Sequence, residues 1–240
     1  MISRLANPAR FMRISAAVLP WCGWASVAVI AVGLYLALLV APPDYQQGET
    51  VRIMYVHVPA AWMALNIYLL IAVASGVALV WRHPLAEIAA RSAAPIGAAF
   101  TFVCLTTGSL WGRPMWGAWW VWDARLTSVL VLFLLFVGYM ALRASIDDEA
   151  RSARAGAILA LVGLINLPII YFSVDWWNSL HQGESIFRPG GPAIATVFLI
   201  PLGLMSLGYL AAFGALWLER TRAEIWRRRA QVAAVQAAGR

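Results

Sequence analysis

The chain has 240 residues, of which 62% are hydrophobic and only 12% are charged, and its mean hydropathy is +0.74. Soluble domains carry about a quarter charged residues, so this composition excludes an ordinary soluble protein and predicts an integral membrane protein. The 18 basic residues are all arginine and give a net charge of +7. Because these arginines are scattered between apolar runs, they indicate how the chain is oriented in the membrane rather than a surface that binds nucleic acid.

Six apolar segments are long enough to cross a bilayer, which takes about 20 residues per helix. We therefore predict an all-α integral membrane protein with one domain over residues 1–240 and short loops. The first segment is not a cleaved signal peptide, because it is too long and Pro42 and Pro43 follow it where small residues would be needed. The predicted spans are approximately 20–41, 58–81, 88–110, 126–142, 155–173 and 192–218.

The arginine distribution predicts the orientation of these spans. Fourteen arginines fall in the connections on one side and in the termini, whereas four fall on the other side. Since arginine accumulates on the cytoplasmic side, both termini are expected in the cytoplasm. In a Gram-negative bacterium the opposite side is the periplasm. The four arginines expected there are Arg52, Arg113, Arg125 and Arg188.

The first outward connection contains Arg52 and ends at His57, in the stretch VRIMYVHVPAAW. Histidine is a common ligand of haem iron, although an imidazole at a membrane interface also suits that position without any ligand. Arg52 is a candidate to bind a haem propionate, because guanidinium pairs well with carboxylate. His83, in the inner loop WRHPLAE that follows, is interpreted as a solvated loop residue.

The second outward connection contains the stretch WGRPMWGAWWVWDARLTS, residues 111–128. An aromatic belt needs only one or two rings per span, so five tryptophans here call for another explanation. Gly112, Pro114 and Gly117 are expected to break the helix and produce a loop over residues 111–125. Large rigid rings suit a planar macrocycle. The tryptophans are Trp111, Trp116, Trp119, Trp120 and Trp122.

Charged residues follow the tryptophans. Asp123 precedes Arg125 by two positions, so one can orient the other. Arg125 stands at the mouth of the fourth span and is the second candidate to bind a propionate. Arg113 and Arg188 lie in loops that contain proline and are interpreted as solvated.

The third outward connection contains His181, in the stretch DWWNSLHQGESIF. Trp177 lies four residues earlier, so the two side chains would share a face of a helix. Two histidines from different loops can bind haem iron from both axial sides. Because His57 and His181 flank the tryptophan cluster on one side of the membrane, we predict that they are a ligand pair.

The cysteines and the C-terminal segment give less information about function. Cys22 and Cys104 are interpreted as packing residues, and the chain has no CxxC or CxxCH motif for a dithiol or for covalent haem attachment. Residues 219–240 are expected to form a basic helix at the inner membrane surface, anchored by Trp226 and arginines against anionic lipid.

The stretch 111–128 resembles the tryptophan-rich "WWD" signature of the CcmC family, the haem-handling proteins of cytochrome c maturation. Six spans, inward termini and one outward histidine on each side of the signature strengthen this resemblance. It implies that haem b binds non-covalently and transiently at the periplasmic face of the bacterial inner membrane, with His57 and His181 as axial ligands. The platform it implies consists of Trp111, Gly112, Trp116, Trp119, Trp120, Trp122 and Asp123.

The same resemblance implies the partners. Proteins of this family present haem for attachment to the haem chaperone CcmE, and they associate with the ATP-binding subunit CcmA and with CcmB and CcmD. The protein would then be a delivery component and not an enzyme, with ATP hydrolysis on a partner subunit.

Two alternatives stay open. A transmembrane haem permease of an ABC exporter would need polar or ligand residues along the spans and at the inner face, where His83 is the one available histidine. A haem lyase acting on apocytochrome c would need further histidines or a large outward domain.

Overall fold

The computed structural model describes residues 7–181, 183, 185–186 and 188–238. In this part of the chain every regular element is a helix, and together the helices provide six segments long and apolar enough to span a membrane. The prediction of an all-α protein with six spans is therefore confirmed. The helices are α1 (Pro8–Tyr35), α2 (Met54–Trp81), α3 (Pro84–Trp116), α4 (Ala124–Ser145), α5 (Glu149–Gly163), α6 (Asn166–Trp176) and α7 (Thr196–Ala238).

Several helices extend beyond the predicted spans, because hydropathy marks only the apolar part of a helix. α1 begins at Pro8, where the side chain of Asn7 accepts a hydrogen bond of 2.9 Å from the backbone N–H of Ala9. α1 continues into one π-helical turn, Leu36–Val40. A short 3-10 turn, Glu49–Ile53, leads into α2.

The end of α3 corrects an expectation about the tryptophan-rich stretch. The helix continues through Gly112 and Pro114 to Trp116 and ends at Gly117, whose φ of 77° is left-handed. A proline close to a helix end removes one backbone hydrogen bond without ending the helix. The predicted loop over residues 111–125 is therefore helical up to Trp116, and α4 begins at Ala124.

The fifth span is interrupted between α5 and α6. Pro168 has no N–H to donate to the carbonyl of Leu164, and the helix is broken at residues 164–165. Asn166, the first residue of α6, donates from Nδ2 to the carbonyl of Ser128 in α4 at 2.9 Å. This buried bond fixes the interruption against α4.

The bundle packs around α3, the most buried of the six spans. α2 lies along α3, and α1 lies along α7. In the main core the rings of Tyr68 and Phe136 meet edge to face, with 5.2 Å between centroids. Gly97 allows this packing, because a Cβ there would overlap the Phe136 ring. Both ends of α3 therefore lie at the centre of the bundle.

The arginine end of the bundle comprises the start of α3, the end of α4, the start of α5 and the second half of α7. Arg143 is 5% exposed and forms ion pairs with Glu87 at 2.6 Å and with Glu149 at 2.8 Å. Arg228 of α7 pairs with Glu87 at 2.6 Å. The arginine count predicts that this end faces the cytoplasm.

Two residues at the arginine end differ from their predicted environments. His83 is not simply a solvated loop residue, because it caps α3: its Nδ1 accepts a hydrogen bond of 3.2 Å from the N–H of Ala86. The chain after residue 218 is not a separate surface helix, because α7 continues unbroken to Ala238. Ile225 is buried beside Leu85, whereas Trp226 is exposed. The first part of the tail therefore packs on the protein itself.

Candidate functional site

The opposite end, here called the histidine end, contains the start of α2, the ends of α3 and α6, and the start of α4. His57 lies in the first turns of α2 and faces α3. Its Nδ1 is 3.0 Å from the carbonyl oxygen of Cys104 and 3.1 Å from Oγ1 of Thr107. A carbonyl can only accept a hydrogen bond, so Nδ1 carries the proton and Nε2 keeps its lone pair.

Gly108 makes the close approach of His57 to α3 possible. A Cβ at this position would lie 2.9 Å from Cε1 of the imidazole, which is closer than van der Waals contact allows. Gly108 is not among the site residues predicted from the sequence. A glycine inside a helical pattern is a signal of close approach, and it was the available clue.

Trp111 stands beside His57 on the last turns of α3. The two rings meet edge to face, with 5.6 Å between centroids. The indole Nε1 donates a hydrogen bond of 3.0 Å to Oε1 of Gln47 in the first loop of the histidine end. Trp111 is therefore held by both α3 and this loop.

His181 is held by a short hydrogen-bonded network. Its Nδ1 lies 3.2 Å from Oδ2 of Asp123, and Oγ of Ser179 donates to the same oxygen at 2.6 Å. The backbone N–H of His181 donates in turn to Oγ of Ser179 at 3.1 Å. Since the carboxylate accepts from Nδ1, Nε2 of His181 also keeps its lone pair.

Asp123 combines two roles. It caps α4, where its Oδ1 accepts a 2.7 Å hydrogen bond from the N–H of Leu126, and its Oδ2 orients His181. Burial alone would raise the pKa of Asp123, but the hydrogen bonds from Ser179 and Leu126 and the neighbouring His181 outweigh burial, so its pKa is lowered. The carboxylate is therefore charged at neutral pH.

The environment of His181 keeps its imidazole neutral. Burial lowers the pKa of His181 below the ordinary value of 6.5, and this outweighs the opposite effects of the charge and hydrogen bond of Asp123. A neutral imidazole beside a charged carboxylate is the form in which histidine binds a metal.

Trp116 pairs with His181 as Trp111 pairs with His57. The ring centroids of Trp116 and His181 are 4.9 Å apart, in an edge-to-face arrangement. Gly112 allows the Trp116 ring to pack against the backbone of α3, because a Cβ at position 112 would lie only 3.0 Å from this ring. The end of α3 thus carries an indole for each histidine.

The other tryptophans of the predicted platform are arranged differently. Trp120 and Trp122 meet edge to face at 5.5 Å, and both line an apolar groove with Phe102 and Leu110. Helical geometry places this groove on the face of α3 opposite His57. Trp119 is exposed, and its carbonyl accepts a hydrogen bond from Ser109. The structure thus brings two of the five indoles to the histidines.

Trp177 also differs from its predicted position. α6 ends at Trp176, and Trp177 has extended backbone angles of −134° and 157°. Trp177 and His181 therefore do not share a helical face. The network of Asp123 and Ser179, rather than a helix, positions His181.

The two candidate arginines already have protein partners. The guanidinium of Arg52 donates from Nη1 to the carbonyls of Ala37 and Leu38 and from Nε to Glu49. These bonds join the end of the first span to the start of the second. They use Nε and Nη1, so Nη2 is the group that remains for a propionate.

Arg125 joins two other spans. Its Nε donates to Oγ of Ser173 at 3.1 Å, and its Nη2 donates to the carbonyl of Tyr171 at 3.2 Å. Arg125 thereby ties the start of α4 to α6. Both arginines thus support the helices that form the histidine end, a role that was not predicted from the sequence.

The comparisons with known proteins agree with one another. The family model described as "Heme exporter protein C" matches residues 1–236. The chain is 58% identical to the heme exporter protein C of Bradyrhizobium diazoefficiens, over 94% of this chain and 85% of that protein. It is 48% identical to the heme exporter protein C of Escherichia coli strain K12, over 92% and 89%. It is 49% identical to a putative cytochrome c biosynthesis ccmC-like mitochondrial protein of Marchantia polymorpha, over 80% and 81%.

Proposed function

The chain belongs to the heme exporter protein C family, and from this premise we propose that it binds haem b at the histidine end and presents it to the haem chaperone CcmE. Binding is non-covalent and transient, and His57 and His181 are the axial ligands of the iron. The site faces the periplasm at the bacterial inner membrane. In this proposal the protein delivers haem for the maturation of c-type cytochromes and is not an enzyme.

The main support for this proposal is that both imidazoles have the same tautomer, with the proton on Nδ1. Nδ1 of His57 donates to the carbonyl of Cys104, and Nδ1 of His181 donates to the carboxylate of Asp123. Each ring therefore directs its unprotonated Nε2 away from a fixed partner. Such a second partner sets the tautomer and the orientation of histidines that bind metals.

The number of ligand residues favours a metal that brings ligands of its own. Among the described residues there is no group of three or more His, Cys, Asp or Glu side chains that could hold a bare metal ion. Protein sites for bare transition metals usually supply at least three side chains. A porphyrin supplies four equatorial ligands, so two axial imidazoles complete the coordination of its iron.

The indoles give this site its apolar walls. Trp111 and Trp116 each present a ring to one of the histidines, and aromatic rings provide wide contact at a low entropic cost. Trp119 and Trp122 are exposed, which makes them available to haem or to CcmE. The propionates would pair with Arg52 and Arg125, since guanidinium groups bind carboxylates strongly.

The chain has partners in this proposal. It assembles with CcmB, CcmD and the ATP-binding subunit CcmA, and ATP hydrolysis on CcmA releases loaded CcmE. The alternative of a transmembrane haem permease needs an iron ligand at the arginine end. His83 is a poor ligand there, because its Nδ1 accepts the N–H of Ala86 and its Nε2 therefore carries the proton.

Haem titration followed by absorption spectroscopy tests the proposal. The wild-type protein is expected to show the spectrum of a bis-histidine haem, which His57→Ala and His181→Ala would each lose and His83→Ala would keep. Added imidazole should restore the spectrum in the first two variants, because it replaces the missing ligand in an intact site. Loss of binding in His83→Ala alone would disprove the proposed site. Transfer of haem to purified CcmE tests the delivery step.

A further inference from the structure

A cavity of about 880 Å³ lies at the arginine end, between α2, α3 and α5. It is separate from the histidine end and has no part in the proposed haem site. Part of its lining is aliphatic and includes Leu79 of α2 together with Ala157 and Ile158 of α5. Arg82 and Arg154, which are both exposed, also line the cavity and form its cationic rim. The cavity is thus amphipathic, with an aliphatic wall and exposed cationic groups.

The charges that line this cavity do not balance. Four arginines and two glutamates line it. Arg143 and Arg228 pair with the two glutamates. Arg82 and Arg154 form no ion pair with any acidic residue in the described part of the chain. The cavity therefore has a surplus of two positive charges, and both belong to its rim.

His83 adds a hydrogen-bond donor to the same rim. Its Nδ1 accepts the N–H of Ala86, so the proton of the neutral ring is on Nε2. The ring also lines the cavity. A protonated Nε2 suits an anion better than an iron atom, which needs an unprotonated nitrogen.

The backbone of Arg82 supports a role for its side chain. Arg82 ends α2 with φ at 50°, and it is the one residue other than glycine with positive φ in the part of the chain that the structure describes. Glycine and asparagine are the residues that usually occupy this left-handed position after a helix. An arginine there accepts backbone strain while it places a guanidinium at the cavity.

We propose that this cavity binds the phosphate of an anionic phospholipid from the adjacent leaflet. The phosphate contacts Arg82, Arg154 and Nε2–H of His83, and the acyl chains lie along the aliphatic wall of Leu79 and Ile158. Basic pockets between membrane-spanning helices bind such headgroups, and arginine forms its strongest hydrogen bonds with phosphate and carboxylate. The aliphatic wall favours a lipid over free phosphate, which has no group to place there.

Native mass spectrometry of the full chain with added phosphatidylglycerol tests this proposal. Arg82→Gln and Arg154→Gln are each expected to weaken phosphatidylglycerol binding about fivefold, and binding of phosphatidylcholine should stay weak in all proteins. Arg151→Gln is the matched control, because Arg151 is exposed on the same helix as Arg154 and does not line the cavity. Equal phosphatidylglycerol binding in a variant that combines Arg82→Gln with Arg154→Gln and in Arg151→Gln would overturn the proposal.

Two further variants separate lipid binding from folding. Arg82→Gly should weaken phosphatidylglycerol binding about fivefold, as Arg82→Gln does, yet unfold at the same or a higher temperature, because glycine adopts the left-handed backbone without strain. His83→Ser keeps a helix-capping oxygen but removes the ring donor, so it should weaken lipid binding with α3 intact. Wild-type lipid affinity in both variants would contradict the proposal.

The remaining outcomes identify other ligands. If inorganic phosphate bound in a manner that depended on Arg82 while phosphatidylglycerol did not, the anion would come from solution and the lipid proposal would be wrong. If the arginine variants reduced haem binding and left lipid binding unchanged, the cavity would be a haem site. Neither result would affect the ligand pair at the histidine end.

Discussion

Asp123 and His181 lie 58 positions apart in the chain, and Oδ2 of the one is 3.2 Å from Nδ1 of the other. Ser179 donates to the same carboxylate oxygen and accepts from the backbone of His181. The aspartate of the tryptophan-rich stretch therefore orients a histidine of the loop between α6 and α7. In the proposed haem site, Asp123 is thus a positioning residue rather than a ligand.

Asp123→Asn is expected to lower haem affinity by roughly 10- to 100-fold, the usual effect of losing such a second partner of a metal ligand. Asparagine also caps helices, so α4 should remain folded. Haem titration of the purified variant measures the change, with Asp175→Asn as a control because Asp175 is exposed near the same end. An affinity equal to that of the wild type would show that the Asp123–His181 bond does not support ligation.

Acid should release haem from the wild-type protein. Because burial lowers the pKa of His181 below 6.5, the ring is neutral near pH 7 and haem affinity should be constant there. Affinity falls only as the pH drops below 6.5 and through the lowered pKa, where a proton competes with the iron. Absorbance recorded from about pH 8 to about pH 4 measures this release.

The same titration of Asp123→Asn provides a sharper result. The charge of Asp123 raises the pKa of His181 against the effect of burial, so its loss should lower that pKa further. When the haem affinity is determined at each pH, the pH below which it begins to fall should therefore be lower than in the wild type, even though the affinity at neutral pH is weaker. A shift to higher pH would mean that Asp123 does not act on His181 through its charge.

Gly108→Ala is expected to reduce haem binding by at least about tenfold without loss of stability. The added Cβ would meet Cε1 of His57 at 2.9 Å, and a shift of the ring away from α3 would lengthen its hydrogen bond to the carbonyl of Cys104. Alanine is a better helix former than glycine by up to about 1 kcal/mol, so the helix itself should not weaken. Haem titration together with thermal unfolding separates the two effects.

Gly138→Ala is the matched control for Gly108→Ala. Gly138 also lies inside a helix, and a Cβ there would meet nothing within 4 Å. It should therefore leave haem binding unchanged. Equal haem affinity in the two alanine variants would mean that His57 does not need its present position.

An esterified form of haem can test whether Arg52 and Arg125 bind the propionates. Arg52 and Arg125 both hold carbonyl groups of neighbouring spans, so replacing either one changes structure as well as charge. If they also bind propionates, Arg52→Gln and Arg125→Gln should weaken haem binding by roughly 10- to 100-fold, the worth of a charged hydrogen bond. Haem dimethyl ester has no propionate charge, and its affinity should be nearly the same in wild type and variants. An equal loss with both ligands would assign the arginines to structure alone.

The sequence predicted six membrane-spanning helices, which the structure contains, because hydropathy responds to the bilayer itself. It also singled out His57, His181 and the tryptophan-rich stretch, which lie at the same end of the bundle, and the role of the two histidines as a ligand pair stays a prediction. The helix through Pro114 was not predicted, since the cost of a proline depends on how close the helix end is. The helix cap at His83 was overlooked, although a proline at the next position is a signal of a helix start.

The details of the site depend on contacts between distant parts of the chain. No local pattern links Asp123 to Ser179, or His57 to the carbonyl of Cys104, because these pairs are joined only when α2, α3 and the third outward loop pack together. The division of the tryptophans between two faces of α3 has the same origin. Sequence spacing gives the face of a residue on its own helix, but not which helix covers that face.

Arg143 provides a test of stability away from the histidine end. Its side chain is 4% exposed, pairs with Glu87 and Glu149, and donates to Oγ of Ser152 at 2.9 Å. Arg143→Ala removes one member of a buried ion-pair cluster, and such a loss typically costs about 3–5 kcal/mol. Because Arg228 still pairs with Glu87 and Glu149, the lower end of this range is expected. Thermal unfolding in detergent should therefore shift to a clearly lower temperature. Arg151→Ala, at an exposed position, should change it little, and a small shift in both variants would show that solvent already screens the cluster.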